Sequence, residues 1–228
     1  MERTKKIALV LNIVVLIMAL VGSIMCFGEI YIMETKAIEH GIKLLKFFTL
    51  QSNILAGVVA LVFIIFLARE QKSKNPIPKF VYLLKYIATI DLIITFLVVA
   101  LFLGFIAGEG YFSLYVNANF FFHFAIPVIC FISFVWFENT PALKFKHTFV
   151  GVVHLALYAV FYMTVVLTHF KDGAVDLYYD WYAFAQKGIL VAFVCAIIVL
   201  GLGYLTAFGL YKIINRKQKT KTLNNNRN

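Results

Sequence analysis

An all-α membrane protein, a bundle of six transmembrane helices with both termini cytoplasmic, is the fold class that three observations predict. The first is composition. Of 228 residues, 62% are hydrophobic and 14% charged, too few charges for the surface of a soluble domain of this length. The second is segmentation. Six apolar runs, residues 7–27, 47–68, 86–107, 120–137, 149–170 and 189–211, each approach the ~20 residues that a helix needs to cross a bilayer core. The third is where the charge lies. A net charge of +10 would suit a nucleic-acid partner. Its distribution instead follows the rule that basic connections stay inside. Sixteen of the 21 Lys and Arg residues, from Arg3, Lys5 and Lys6 through Lys79, Lys85, Lys144 and Lys146 to the tail, fall on one side. Only Lys36, Lys43, Lys46, Lys171 and Lys187 fall on the other.

The first run follows Arg3, Lys5 and Lys6, as a secretory signal would. It is longer than a signal core of about 7–15 apolar residues and has no small-x-small cleavage site, so it is expected to stay as a helix. Bulky Met25 ahead of Cys26 argues against a lipoprotein. The second run opens on Phe47-Phe48-Thr49-Leu50-Gln51-Ser52-Asn53, four hydrogen-bonding side chains in its first turns. Asn75-Pro76-Ile77-Pro78 makes the next connection a stiff turn. The third run, which has an alternative start at Phe80, carries Asp91 near its middle, where a carboxylate is costly unless protonated or paired with a histidine or tyrosine.

In the fourth run Asn119, His123, Pro127 and Cys130 share a helix face, and Pro127 removes the N–H that would bond the His123 carbonyl. His154, Tyr158 and Tyr162 recur every four residues in the fifth. Gly201, Gly203, Ala207 and Gly209 give the sixth a small-residue seam. Residues 1–211 form the membrane domain, and the basic tail 212–228 is expected to be disordered.

Cys26, Cys130 and Cys195 lie in separate runs with no Cys-x-x-Cys pair, which indicates neither a disulfide framework nor a metal site. His40, His123, His147, His154 and His169 contain no i, i+4 pair. No metal and no cofactor is expected.

Polar side chains inside a span face protein and mark candidate sites, or they serve as interhelical glue. The predicted topology puts Thr49 and His123, on different helices, within roughly 6 Å of the outer edge of the bilayer core at 1.5 Å per residue. A hydroxyl within hydrogen-bond reach of an imidazole is the minimum set for nucleophilic acyl transfer. Ser52, one turn from Thr49, is a rival nucleophile. Gln51, Asn53 and Asn119 are candidate oxyanion donors, Trp181 and Tyr182 candidate gates, and Asp91 with His154 a candidate relay.

The Phe-Phe-Thr-Leu-Gln-Ser-Asn string, with His123 and Pro127 in the fourth run, resembles the androgen-induced integral membrane hydrolase family, and most closely its prokaryotic relatives. The resemblance covers nearly the whole chain. It includes six spans, cytoplasmic termini and an aromatic approach to the last helix at residues 178–184. Animal members of that family are threonine hydrolases of esters joining a fatty acid to a hydroxy fatty acid. The resemblance therefore implies Thr49 as nucleophile, His123 as base, membrane lipids and fatty-acyl esters as partners, and a prokaryotic cell membrane as location. Asp180-Trp181-Tyr182-Ala183-Phe184 lacks the prolines that commonly flank those aromatics in the family, and Asp91 has no counterpart in it. The alternative is a non-enzymatic lipid- or small-molecule-binding protein or transporter, with Asp91 and His154 on its path. A bundle with no site at all is the third.

Overall fold

The computed structural model describes residues 2–27, 41–106, 108 and 110–225. Among them the chain is all-helical, with no strand. Five helices are long and apolar enough to cross a membrane: α1 (Arg3–Phe27), α2 (Phe48–Ser73), α3 (Lys79–Leu103), α4 (Ala118–Phe137) and, after the fifth apolar run, α6 (Ile189–Asn225). They make the chain a multi-pass membrane protein. That fifth run is broken. A turn of helix at Lys146–Val150 is followed by α5, Val153–His169. The 17 residues of α5 reach about 25 Å at 1.5 Å per residue, short of a core about 30 Å thick. Gly151 lies at the break. A Cβ there would stand 2.6 Å from Tyr86 and Ile90 side-chain atoms, so glycine is what lets this turn approach α3.

α3 is the central helix. It packs on α2, α4, α5 and α6, and Tyr86, Ile90, Leu92 and Ile94 are fully buried along it. α1 lies along α2 and also touches α4. Gly22 permits that second approach, because a Cβ would come within 2.6 Å of the Phe122 ring. α6 rests on α5 and α3 and keeps Leu190, Ile197 and Leu205 exposed, as a lipid-facing helix should.

Two details depart from the sequence reading. α3 starts at Lys79, directly after Pro78, seven residues ahead of 86 and one ahead of the alternative start at Phe80. Pro78 supplies the extended backbone that precedes the first turn, and the earlier start draws Lys85 into the bundle. The basic tail expected to be disordered from 212 is helical to Asn225. Its Lys, Arg and Gln residues are good helix formers. Asn215 also exchanges hydrogen bonds with the Leu143 backbone at 2.8 and 3.0 Å, and Lys217 Nζ donates to the Val135 carbonyl at 2.9 Å.

α3 and α4 carry π turns near the site, and α4 carries another at Ser133–Phe137. In α3 the π turn is Val99–Leu103 and in α4 it is Phe121–Ala125. The second spans His123 just ahead of Pro127. The missing proline N–H is absorbed there by the wider turn. Such turns are frequent at functional sites.

Candidate functional site

A narrow, half-open cavity of about 70 Å³ lies between the N-terminal turn of α2, the C-terminal half of α3, α5 and α6. Its wall is almost wholly apolar, with Ile94, Val98, Val99, Leu103, Leu155 and Val199 among its residues. The polar groups on it are Thr49, Thr95, Tyr158, Tyr162 and Tyr182.

Thr49 is half-buried and is one of the two threonines on that wall. The other polar groups of its helix are engaged elsewhere. Ser52 is fully buried, and its Oγ donates to the Thr49 carbonyl at 3.0 Å or pairs with Thr95 Oγ1 at 3.0 Å. Asn53, also fully buried, donates from Nδ2 to the Thr49 carbonyl at 2.8 Å and to the Phe122 carbonyl at 3.2 Å. Asn53 thus ties the first turns of α2 to the π turn of α4. Gln51 turns back to the Leu45 carbonyl at 2.6 Å. None of Gln51, Ser52 and Asn53 lines the cavity.

His123 is buried in the α4 π turn. Its Nδ1 lies 2.6 Å from the Leu114 carbonyl, and Tyr115 meets the ring edge-on at 6.4 Å. A carbonyl accepts only from N–H, so the proton sits on Nδ1 and Nε2 keeps its lone pair, the tautomer of a general base. His123 does not line the cavity, and no hydrogen bond joins it to Thr49. Asn119 is half-buried one turn earlier on α4.

The second histidine pair is formed. His154 Nδ1 meets Asp91 Oδ2 at 2.7 Å, and Asp91 is fully buried. The expected partner of the mid-span carboxylate is therefore a histidine of α5. The His154 ring stacks on Phe48 at 5.6 Å, next to Thr49 in the chain. Asp91 Oδ1 is buried with no hydrogen-bond partner.

The segment between α5 and α6 closes one side of the cavity. Tyr182 lines it, and its hydroxyl accepts the Phe48 N–H at 3.0 Å, one of the N–H groups that a helix start leaves without an internal partner. Trp181 Nε1 donates to the Tyr158 hydroxyl at 3.0 Å, and Tyr158 donates to the Lys46 carbonyl at 2.7 Å. Burial pushes the Tyr182 phenol above its usual range, so it stays a neutral hydroxyl.

The sequence reading missed the group that organises this segment. Asp180 is fully buried and accepts from the Tyr162 hydroxyl, from the Phe184 and Ala185 N–H groups at 3.0 and 2.9 Å, and from Gln186 Nε2 at 3.0 Å. An aspartate directly ahead of the aromatic string Trp181-Tyr182-Ala183-Phe184 was the available signal. A buried pair at the other end of the bundle was missed as well. Lys85, expected to serve topology, lies 3.1 Å from Glu138 Oε1 and donates to Asn12 Oδ1 at 2.7 Å.

Among the described residues no three His, Cys, Asp or Glu side chains converge as a metal site. His40 lies outside the described residues. Compared with family models, with curated proteins and with solved structures, the chain finds no match in any of the three.

Proposed function

We propose that this chain is an integral membrane lipid-ester hydrolase, with Thr49 as nucleophile and His123 as base. It would cross a prokaryotic cell membrane six times with both termini cytoplasmic, the Lys146–Val150 turn and α5 together making the fifth crossing. One observation carries the reading. Thr49 opens on a slim apolar cavity while Ser52 and Asn53, its polar neighbours, are committed to other helices.

An acyl chain lies in the cavity with its ester carbonyl at Thr49. The threonine Oγ1 attacks the carbonyl carbon as His123 Nε2 takes its proton. The alcohol then leaves with that proton, and water cleaves the acyl-threonine by the same route. Asn119 is the side chain left to donate to the oxyanion, since both known donations of the Asn53 amide go to carbonyls. The reaction needs His123 and Thr49 closer than they stand without substrate. Catalytic hydrogen bonds commonly tighten only in the Michaelis complex.

The substrate class is a fatty-acyl ester, such as a fatty-acid ester of a hydroxy fatty acid. The test is covalent labelling by a fluorophosphonate probe in membranes. Thr49→Ala and His123→Ala should each lower the labelling rate by about 10³ or more, as removal of a nucleophile or its base does, while Ser52→Ala keeps it. Full labelling of Thr49→Ala would overturn the proposal.

The Asp91–His154 pair favours a second reading, a lipid-binding protein or transporter in which that dyad moves a proton. It predicts that Asp91→Asn abolishes function and Thr49→Ala does not.

A further inference from the structure

Away from the cavity, at the basic end of the bundle, the loop ahead of α5 lies against the end of α6. The reciprocal hydrogen bonds between Leu143 and Asn215 fasten the two. The Phe145 ring meets Tyr211 edge-on at 6.3 Å and Phe149 at 5.7 Å. Phe149 in turn meets Tyr204 at 5.4 Å. The result is an aromatic strip shared by two elements, and Phe145 and Phe149 remain 53% and 55% exposed.

Cations crown this strip. Lys212 Nζ stands 5.0 Å over the Phe208 ring and 6.0 Å over Tyr211. Lys144, Lys146, Lys212 and Arg216 are all exposed. The field there is uncompensated along the chain, because residues 139–171 and 181–228 contain no Asp or Glu. Lys217, by contrast, is turned inward to the Val135 and Trp136 carbonyls.

Aromatic rings under a ring of cations match a lipid in two parts. Tyrosines such as Tyr204 and Tyr211 in this strip favour the boundary between acyl chains and headgroups. Basic residues just beyond that boundary attract anionic headgroups. We infer that Lys146, Lys212 and Arg216, above Phe145, Phe149 and Phe208, form a binding surface for one anionic phospholipid of the basic-side leaflet. Its phosphate sits among the cations and its upper acyl chains lie on the rings. The inference is independent of the hydrolase reading.

The test uses the purified full-length protein in neutral detergent, with phosphatidylglycerol or phosphatidylcholine added, and native mass spectrometry to count bound lipid. Phosphatidylglycerol should bind at least fivefold more tightly than phosphatidylcholine. The double substitution Lys146→Gln/Lys212→Gln should remove that preference. Lys72→Gln/Lys74→Gln takes the same charge from the α2–α3 connection and should leave the preference within twofold. Equal losses in the two double variants would mean a diffuse field and overturn the site. So would wild-type protein without a preference, or displacement of the lipid by millimolar inorganic phosphate. If the first double variant fails to fold, Arg216→Gln alone should lower the preference at least twofold, and an unchanged preference would count against the site.

Discussion

Two clusters of buried polar groups sit at opposite ends of this bundle, and they are finished in different ways. At the basic end Lys85, Asn12 and Ser133 converge on Glu138 Oε1, while Glu138 Oε2 is buried with no hydrogen-bond partner. Asn12 Nδ2 lies 3.1 Å from Glu138 Oε1 and 3.2 Å from Ser133 Oγ, and Ser133 donates to Glu138 at 2.8 Å. All four are buried, and they come from α1, α3 and α4 with the residue just after it. At the other end Thr49, Tyr158, Tyr162 and Tyr182 stand around open space, and a loop supplies part of the wall. Polarity inside an apolar bundle therefore does not by itself mark a site. Polar groups whose partners come from neighbouring helices or loops act as glue even on the cavity wall, as the three tyrosines do, while one that lines the cavity as Thr49 does is placed to meet a ligand.

The largest expected effect tests the closed cluster. Lys85→Met leaves Glu138 as an unpaired buried charge, which should cost about 3–5 kcal/mol. Lys85→Met with Glu138→Leu removes both charges and should recover most of that loss. Thermal unfolding in detergent reads both. A single variant as stable as wild type would mean that the pair is not closed, and the contrast between the two ends would fail.

An intermediate effect tests the wall of the open cluster. Asp180→Asn weakens several charge-assisted hydrogen bonds at once, from Tyr162, the Phe184 and Ala185 N–H groups and Gln186. Such bonds are worth about 1.5–3 kcal/mol, so a loss of about 2 kcal/mol is expected. The segment between α5 and α6 should become the first site of limited proteolysis. If cleavage there is no faster than in wild type, the loop is held by its aromatic contacts and the buried carboxylate is incidental.

Sequence and structure agree where periodicity and length carry the information. The apolar runs at 7–27, 47–68 and 120–137 lie within or nearly coincide with helices, because a hydrocarbon-facing helix declares itself residue by residue. Thr49 was readable as a polar residue in the first turn of α2, and Pro127 announced a local irregularity beside His123. The rest depends on pairings between distant segments. Asp91 and His154 are 63 residues apart, Asn12 and Glu138 126, and nothing local to either partner reveals the other. Lys85 was misjudged because a lysine near a run end normally reaches water. Here α3 begins early enough to carry it inward. Spacing alone also put Thr49 and His123 at one level, but level is not contact. The rotation of each helix decides that, and it turns Thr49 to the cavity and His123 to Leu114.

The smallest effect sharpens the comparison most, because it separates shape from hydrogen bonding in the open cluster. Tyr182→Phe keeps the ring that walls the cavity and deletes only the hydroxyl that accepts the Phe48 N–H. That donor belongs to the first turn of α2, where no backbone acceptor within the helix can replace it. The expected cost is about 1 kcal/mol of stability, the ordinary worth of one neutral hydrogen bond. If the cavity takes an acyl chain, the same change should loosen the turn that presents Thr49 and lower the labelling rate by about fivefold, with the wall intact. Trp181→Phe is the matching control, since its indole N–H serves Tyr158 and not α2. Labelling that falls in Tyr182→Phe and not in Trp181→Phe would tie the position of Thr49 to that hydroxyl. Equal, negligible changes in both would mean that carbon alone shapes the cavity and that its polar rim is a second patch of glue like the one at Lys85.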